Sequence, residues 1–149
     1  MGRRLVKAGA DGLVLFNRFY QPDIDIEALQ VERTLHLSTS AELNLRLRWL
    51  AVLAGRIRGS LAVSGGVHTA ADAIKSIMTG ASAVQIVSAL LEKGPQHLRT
   101  IRTEVAQWME KHEYESIEKM RGNMSLASCP DASAYERANY MMILNTWGR

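Results

Sequence analysis

A single cysteine, Cys129, excludes any intrachain disulfide and fits a reducing compartment, so a cytoplasmic location is expected. Long apolar runs are also missing. Leu13 to Phe16, Leu61 to Val63 and Ala83 to Val87 are each cut short by glycine or polar residues, which argues against a transmembrane helix and a membrane partner. The start, Met1-Gly2-Arg3-Arg4-Leu5-Val6, is basic but has no apolar stretch long enough for a signal-peptide core. Charge of one sign is concentrated nowhere. The net charge is +3 and the pI about 9.2, yet the basic residues are spread along the chain and mixed with acidic neighbours, as in Glu110-Lys111 and Glu115-Glu118-Lys119. Nucleic-acid binding needs a clustered basic stripe, so no nucleic-acid partner is expected.

What remains is the composition of a globular protein, 47% apolar and 22% charged, in a length suited to one domain. A helix ends at Ala8-Gly9-Ala10-Asp11-Gly12 and the unbroken run Leu13-Val14-Leu15-Phe16 follows, which predicts a strand buried on both faces. Residues 1–8 would be only the last turns of that helix, an odd place for a domain to begin. From Tyr20 to Leu37 the pattern loosens into a loop or short hairpin around Pro22-Asp23. Thr39-Ser40-Ala41-Glu42 has capping-box spacing, and Leu43, Leu47, Leu50 and Leu53 or Ala54 recur at helical spacing, so a helix is predicted over 41–54. Two more strand–helix units follow. Leu61-Ala62-Val63 leads through Ser64-Gly65-Gly66-Val67-His68 to a helix capped by Thr69 and Asp72 and stopped at Gly80. Ala83 to Val87 leads to a short helix over Ser88 to Lys93, and Pro95 is expected to open a longer one carrying Leu98, Ile101, Val105, Trp108 and Met109. Alternating strands and helices with short connections predict an α/β fold with a parallel sheet. A short helix near Ser116 to Arg121, a loop over Ser125 to Asp131 and a last amphipathic helix over Ser133 to Asn145 form a C-terminal appendage.

Two loops carry the chemistry. Glycine permits positive φ and close backbone approach, so Ser64-Gly65-Gly66 after a strand can aim N–H groups at an anion. Val87-Ser88-Ala89, after the next strand, sets Ser88 at a helix start where N–H groups lack partners within the helix. Adjoining loops of this kind, with a short extra helix, form a common phosphate site of (β/α) barrels.

The stretches Ser64-Gly65-Gly66-Val67 through Asp72-Ala73, Met78-Thr79-Gly80-Ala81-Ser82-Ala83-Val84-Gln85-Ile86 and Ala89-Leu90-Leu91-Glu92-Lys93-Gly94-Pro95 resemble the C-terminal signature of class 1 dihydroorotate dehydrogenases. Gly9-Ala10-Asp11-Gly12 leading to Phe16-Asn17-Arg18, and Lys111 to Ile117 with Arg121-Gly122, extend the resemblance over about Leu5 to Gly122. The ending, Cys129-Pro130-Asp131 and Tyr135 to Tyr140, is similar to a bacterial dihydroorotate dehydrogenase-like branch. The resemblance implies the C-terminal part of a TIM barrel, about three βα units over residues 1–112, with a helical extension over 113–149. It implies an FMN-dependent oxidoreductase of pyrimidine biosynthesis acting on a dihydropyrimidine-type small molecule. Ser64, Gly65, Gly66, Val87, Ser88 and Ala89 would hold the FMN phosphate, Phe16 would lie near the flavin, and Asn17 would bind the pyrimidine ring. Two positions depart from the pattern: Val87 stands where the family has glycine, and Arg18, open to a carboxylate or phosphate, where it has Ser or Thr.

The family's base, a Cys or Ser, comes from the first half of the barrel, and Cys129 lies past the barrel, so no catalytic residue is assigned. The expected partner is a missing N-terminal half-barrel or a second copy, because an open sheet leaves edges unpaired. Two rivals stand beside this reading: an isomerase or lyase acting on a sugar phosphate, and a truncated chain without catalysis. His68 is expected to face solvent at the start of its helix, and Trp49 and Trp108 to pack in the core, with Trp147 covering the appendage. Asp72 reads as a helix-start charge rather than a catalytic acid, and His36, His97 and His112 have no partners at metal-ligand spacing, so no metal is expected.

Overall fold

The computed structural model describes residues 1–135 and 137–146. Helix α1 (Gly2–Lys7) turns at Gly9 into strand β1 (Gly12–Leu15). The chain then leaves the sheet as a hairpin, β2 (Asp23–Asp25) and β3 (Gln30–Glu32), paired antiparallel with Ile24 opposite Val31. The Asp25 carboxylate closes its loop by accepting the N–H groups of Glu27 and Ala28, both at 2.9 Å. A 3-10 turn (Ser40–Glu42) leads into α2 (Leu43–Leu53), with the Thr39–Glu42 capping box formed.

Strand β4 (Ser60–Ser64), helix α3 (Ala70–Met78), strand β5 (Ala83–Gln85) and helix α4 (Ser88–Lys93) follow as expected. The stop after α3 is a Schellman closure: Gly80 has φ 120° and donates to the Ile77 carbonyl, while the Ala81 N–H reaches Ser76. Helix α5 (His97–Lys111) starts two residues later than Pro95, because residues 95 and 96 form a tight turn with bonds from His97 to Gly94 and from Leu98 to Pro95. Helix α6 (Ile117–Met120), a 3-10 turn (Ala132–Tyr135) and α7 (Arg137–Thr146) complete the described chain. Trp147 lies outside the described residues.

The sheet order is β1-β4-β5, all parallel, with Leu15 beside Val63 and Val63 beside Val84. These residues, with Leu13 and Leu61, face the helices and meet Leu43 and Leu50 of α2 in the main core. The opposite face carries Val14, Ala62 and Ala83, and here the expectation for β1 fails: Val14 is 49% exposed. A barrel strand is buried on both faces only when the far wall of the barrel covers its inner face, and nothing among the described residues does so. Trp49 is likewise not core. It is 45% exposed, because α2 buries Leu43, Arg46, Leu50 and Ala51, one stripe at helical spacing, and Trp49 falls off that stripe.

A second core joins α3 to α5 and α6, built on Ile74, Ile77 and Met120, with Trp108 packed against it as expected and stacked on His112 and Tyr114. The segment after α6 is stitched back by backbone hydrogen bonds from Gly122 to Ile77, Met124 to Met78 and Leu126 to Ala51. No helix among the described residues is long and apolar enough to cross a membrane.

Candidate functional site

The carboxyl ends of β1, β4 and β5 open into one cavity of about 490 Å³. Its walls are the loop after β1 (Asn17 to Gln21), the returning chain from Thr34 to Ser38, the loop after β4 (Ser64 to Val67), and Gln85, Val87, Ser88 and Leu91 from the end of β5 and α4. Ligands of parallel α/β proteins bind at this end because the strand-to-helix loops converge there.

Gly65 and Gly66 both have φ 84°, a conformation that an L side chain adopts only with strain. At Gly66 a Cβ would also lie 2.6 Å from the Leu43 nitrogen and 2.9 Å from its Cα, so the loop presses directly on the first turn of α2. A Cβ on Gly65 would meet the Arg46 guanidinium at 3.0 Å. Arg46 is only 5% exposed and donates to three carbonyls: Ser64 through Nε at 2.5 Å, Glu42 through Nη1 at 2.7 Å and Phe16 through Nη2 at 3.3 Å. Burial pulls its pKa below the ordinary arginine value; Glu42 works against that shift and Arg18 adds to it. An arginine remains charged even so. One side chain thus clips the end of β1 to the end of β4 and fixes the gap between two walls of the cavity.

A chain of hydroxyl and imidazole groups lies beside the glycines. The buried Ser38 hydroxyl accepts the Gly66 N–H at 3.3 Å and lies 3.0 Å from the Ser88 hydroxyl and 3.2 Å from His68 Nε2. His68 is 8% exposed, contrary to the expectation that it faces solvent. The cause is the cap of α3: the His68 and Thr69 N–H groups both donate to the Asp72 carboxylate, at 3.1 and 3.0 Å, which turns the imidazole inward. Its Nδ1 faces the Glu92 carboxylate at 3.7 Å, and His97 Nε2 donates to its carbonyl at 2.8 Å.

The Asp72 reading as a helix-start charge is realised in full. Burial alone would raise its pKa, but donors from the Ser40 hydroxyl, the His68 N–H and the Thr69 hydroxyl and N–H outweigh burial and hold the carboxyl below its ordinary value. Asp72→Asn is therefore expected to cost about 1–2 kcal/mol at neutral pH, the range for a lost cap. A depressed carboxyl gives stability that is present above the unfolded-state value, near 3.9, and is lost as pH falls through the folded-state value. Urea melts of both proteins should show a gap at neutral pH that closes in acid; a gap that persists in acid would contradict the argument.

The sequence profile of the family described as Dihydroorotate dehydrogenase matches residues 10–109. The chain belongs to this family. A protein of Aeropyrum pernix described as a candidate dihydroorotate dehydrogenase A (fumarate) is 29% identical over 122 residues, 80% of this chain and 40% of that protein. The chloroplastic dihydropyrimidine dehydrogenase (NADP(+)) of Arabidopsis thaliana is 34% identical over 64 residues, 43% of this chain and 15% of that protein. The crystal structure of ligand-free dihydroorotate dehydrogenase from Eimeria tenella superposes with a TM-score of 0.64 at 24% identity, over 78% of this chain and 33% of that one. The chain thus spans well under half the length of these relatives. Its β1-β4-β5 sheet and helices are the C-terminal part of a dihydroorotate dehydrogenase-type (β/α) barrel, with the helical segment after α5 appended.

Set on that frame, Asn17, Arg18, Ser64, Gly65, Gly66, Val87 and Ser88 all line the one cavity. Phe16 does not: it packs against the main core, with the Arg46 guanidinium 5.8 Å above its ring. The Ala89 side chain is fully buried, so only its backbone could serve a ligand. Val87, where dihydroorotate dehydrogenases have glycine, has φ −125° and ψ −63°, so its backbone does not take the positive φ that calls for glycine. Arg18 lines the cavity but its guanidinium is already engaged, with Nε 2.9 Å from the Glu42 carboxylate and Nη1 donating to the His36 carbonyl. Cys129 is not among the cavity residues; its N–H bonds the Ser125 carbonyl in the loop after α6.

Three groups at the site went unread in the sequence: Ser38, His68 as a buried group, and Arg46. For Arg46 there was a signal. It sits on the stripe of Leu43, Leu50 and Ala51, and a charge on a core stripe calls for a buried partner.

Proposed function

We propose that this chain is the FMN-phosphate grip of a dihydroorotate dehydrogenase-like oxidoreductase that oxidises a dihydropyrimidine-type substrate. The observation that carries the reading is the pair Gly65 and Gly66, both at positive φ and both on a cavity wall where a side chain on Gly66 would strike α2. Such a loop can turn the Gly65 N–H to a phosphate, while the Gly66 N–H is held by Ser38, which carries the loop to Ser88. The FMN phosphate would be held by this loop and by Ser88 across the cavity. Asn17, at the end of β1, would present both a donor and an acceptor to a ring with alternating carbonyl and N–H groups. Bound FMN would supply the hydride acceptor, and the protein supplies position and electrostatics.

Arg18 pairs with Glu42 through Nε and with the His36 carbonyl through Nη1, so Nη2 would be the donor left for a substrate anion. Among the described residues the cavity wall holds no cysteine, and its one serine outside the phosphate loops is Ser38, which is buried and bonded to them. In this reading the base comes from elsewhere, and the chain by itself binds FMN without turning over substrate. The free edges of β1 and β5 would be covered by further barrel strands or by a second copy.

Titration of flavin fluorescence with the purified chain tests the proposal. Saturable quenching that inorganic phosphate reverses is the expected result. Unchanged flavin fluorescence, together with binding of a sugar phosphate, would replace it with an isomerase or lyase on the same barrel.

A further inference from the structure

We infer that His68 is a positioning residue that sets the direction of the Ser38–Ser88 hydroxyl chain, so that capture of a phosphate dianion in the cavity is coupled to uptake of a proton by His68. The inference rests on the phosphate reading of the Gly65-Gly66 and Ser88 loops and adds to it the group that controls them.

Hydrogen counting carries the argument, because each hydroxyl has one hydrogen and two acceptor sites. Ser88 Oγ accepts the Ser38 N–H at 3.1 Å, and Ser38 Oγ accepts the Gly66 N–H at 3.3 Å. One acceptor site is left on each hydroxyl. His68 Nδ1 faces Glu92 at 3.7 Å, which favours a hydrogen on Nδ1 over a lone pair turned to a carboxylate. In the neutral imidazole Nε2 is then an acceptor and takes the Ser38 hydrogen across 3.2 Å. The two hydroxyls are 3.0 Å apart, so with its own hydrogen given to His68, Ser38 is left to accept that of Ser88. The chain runs inward, and Ser88 shows the cavity only a lone pair, which repels an anion.

A proton on Nε2 reverses every link. Nε2–H donates to Ser38, Ser38 donates to Ser88, and both acceptor sites of Ser88 are filled. The Ser88 hydrogen is left with the cavity as its only outlet, where it can donate to a phosphate oxygen. The cation is compensated on its other side by Glu92 of α4. The remaining charged or titratable groups around His68 bond its backbone or its neighbours instead: Asp72 of α3 accepts its N–H, His97 of α5 donates to its carbonyl, and Arg46 of α2 donates to the Ser64 carbonyl.

The test is isothermal titration of FMN into the full chain in two phosphate-free buffers of different ionisation enthalpy, above the second phosphate ionisation near pH 6. The expected result is net proton uptake, with affinity rising as pH falls, at most about tenfold per pH unit for one proton. His68→Gln keeps a polar side chain that cannot take a proton, and it should bind FMN with no uptake. Ser88→Ala removes the end of the chain and should bind more weakly, also with no uptake. Wild-type binding without proton uptake, or the same uptake in either variant, overturns the coupling while leaving the phosphate site standing. Absence of FMN binding in the fluorescence titration overturns both.

Discussion

Gly66→Ala is expected to abolish FMN binding and to lower stability by about 2–5 kcal/mol, the sum of two separate penalties. The first is conformational: φ is 84°, and an L residue there costs about 1–2 kcal/mol. The second is steric. The new methyl would lie 2.6 Å from the Leu43 nitrogen, and that nitrogen belongs to the start of a helix whose Leu43 and Leu50 are central to the core. Backbone cannot rotate away as a side-chain tip can, so the loop or α2 must move, at about 1–3 kcal/mol. Either movement shifts the Gly66 N–H away from Ser38 and opens the cradle. Gly9→Ala is the matched control: φ is 106°, but nothing lies within 4 Å of the added carbon, so only the conformational part applies. Urea melts should rank wild type, Gly9→Ala and Gly66→Ala in that order, and flavin titrations under conditions where all three are folded should single out Gly66→Ala. Equal melting and equal binding of the two variants would sink the cradle argument.

The contrast between these glycines also marks what could be read before any fold was known. From β4 to α4 the sequence speaks through local rules: the Gly-Gly loop, the Thr69–Asp72 cap and the Gly80 stop each act within a few residues, and all stand where expected. The positions of the two loops proposed to hold the phosphate were legible for the same reason. Ser38 was not. It meets Gly66 from 28 residues away and Ser88 from 50, and no spacing rule reaches so far. His68 is buried although its position beside a helix start points to solvent. The donors that turn it inward are backbone groups bound to Asp72, so the cap itself decides where the imidazole goes. Val14 and Trp49 failed differently. Apolar character was equated with burial, whereas burial needs an opposing surface, and neither residue has one among the described residues.

Arg46→Met should be the most damaging single change outside the glycine loop, at about 3–5 kcal/mol, the loss of three hydrogen bonds to a charged group less the cost of burying it. Methionine restores apolar contact with Phe16 but no donor, and leaves the carbonyls of Ser64, Glu42 and Phe16 without the guanidinium. Hydrogen bonds to a charged group are worth about 1.5–3 kcal/mol each, and the cost of burying the guanidinium offsets part of that sum. Arg46→Lys should recover only a fraction, since one ammonium on a flexible stem cannot copy a planar fork spread over three carbonyls. The loss should also reach the cavity: with the ends of β1 and β4 unclipped, Asn17 and Gly65 lose their fixed spacing, and flavin affinity falls along with stability. The pH dependence separates this variant from Asp72→Asn. A guanidinium stays protonated at any accessible pH, so the stability gap of Arg46→Met should stay flat from neutral pH into mild acid, over the range in which the Asp72→Asn gap closes. Urea melts of both variants across that range decide the point, and an Arg46→Met gap that closes together with that of Asp72→Asn would mean that Arg46 acts through a titrating carboxylate, Glu42 or Asp72, rather than through the three carbonyls.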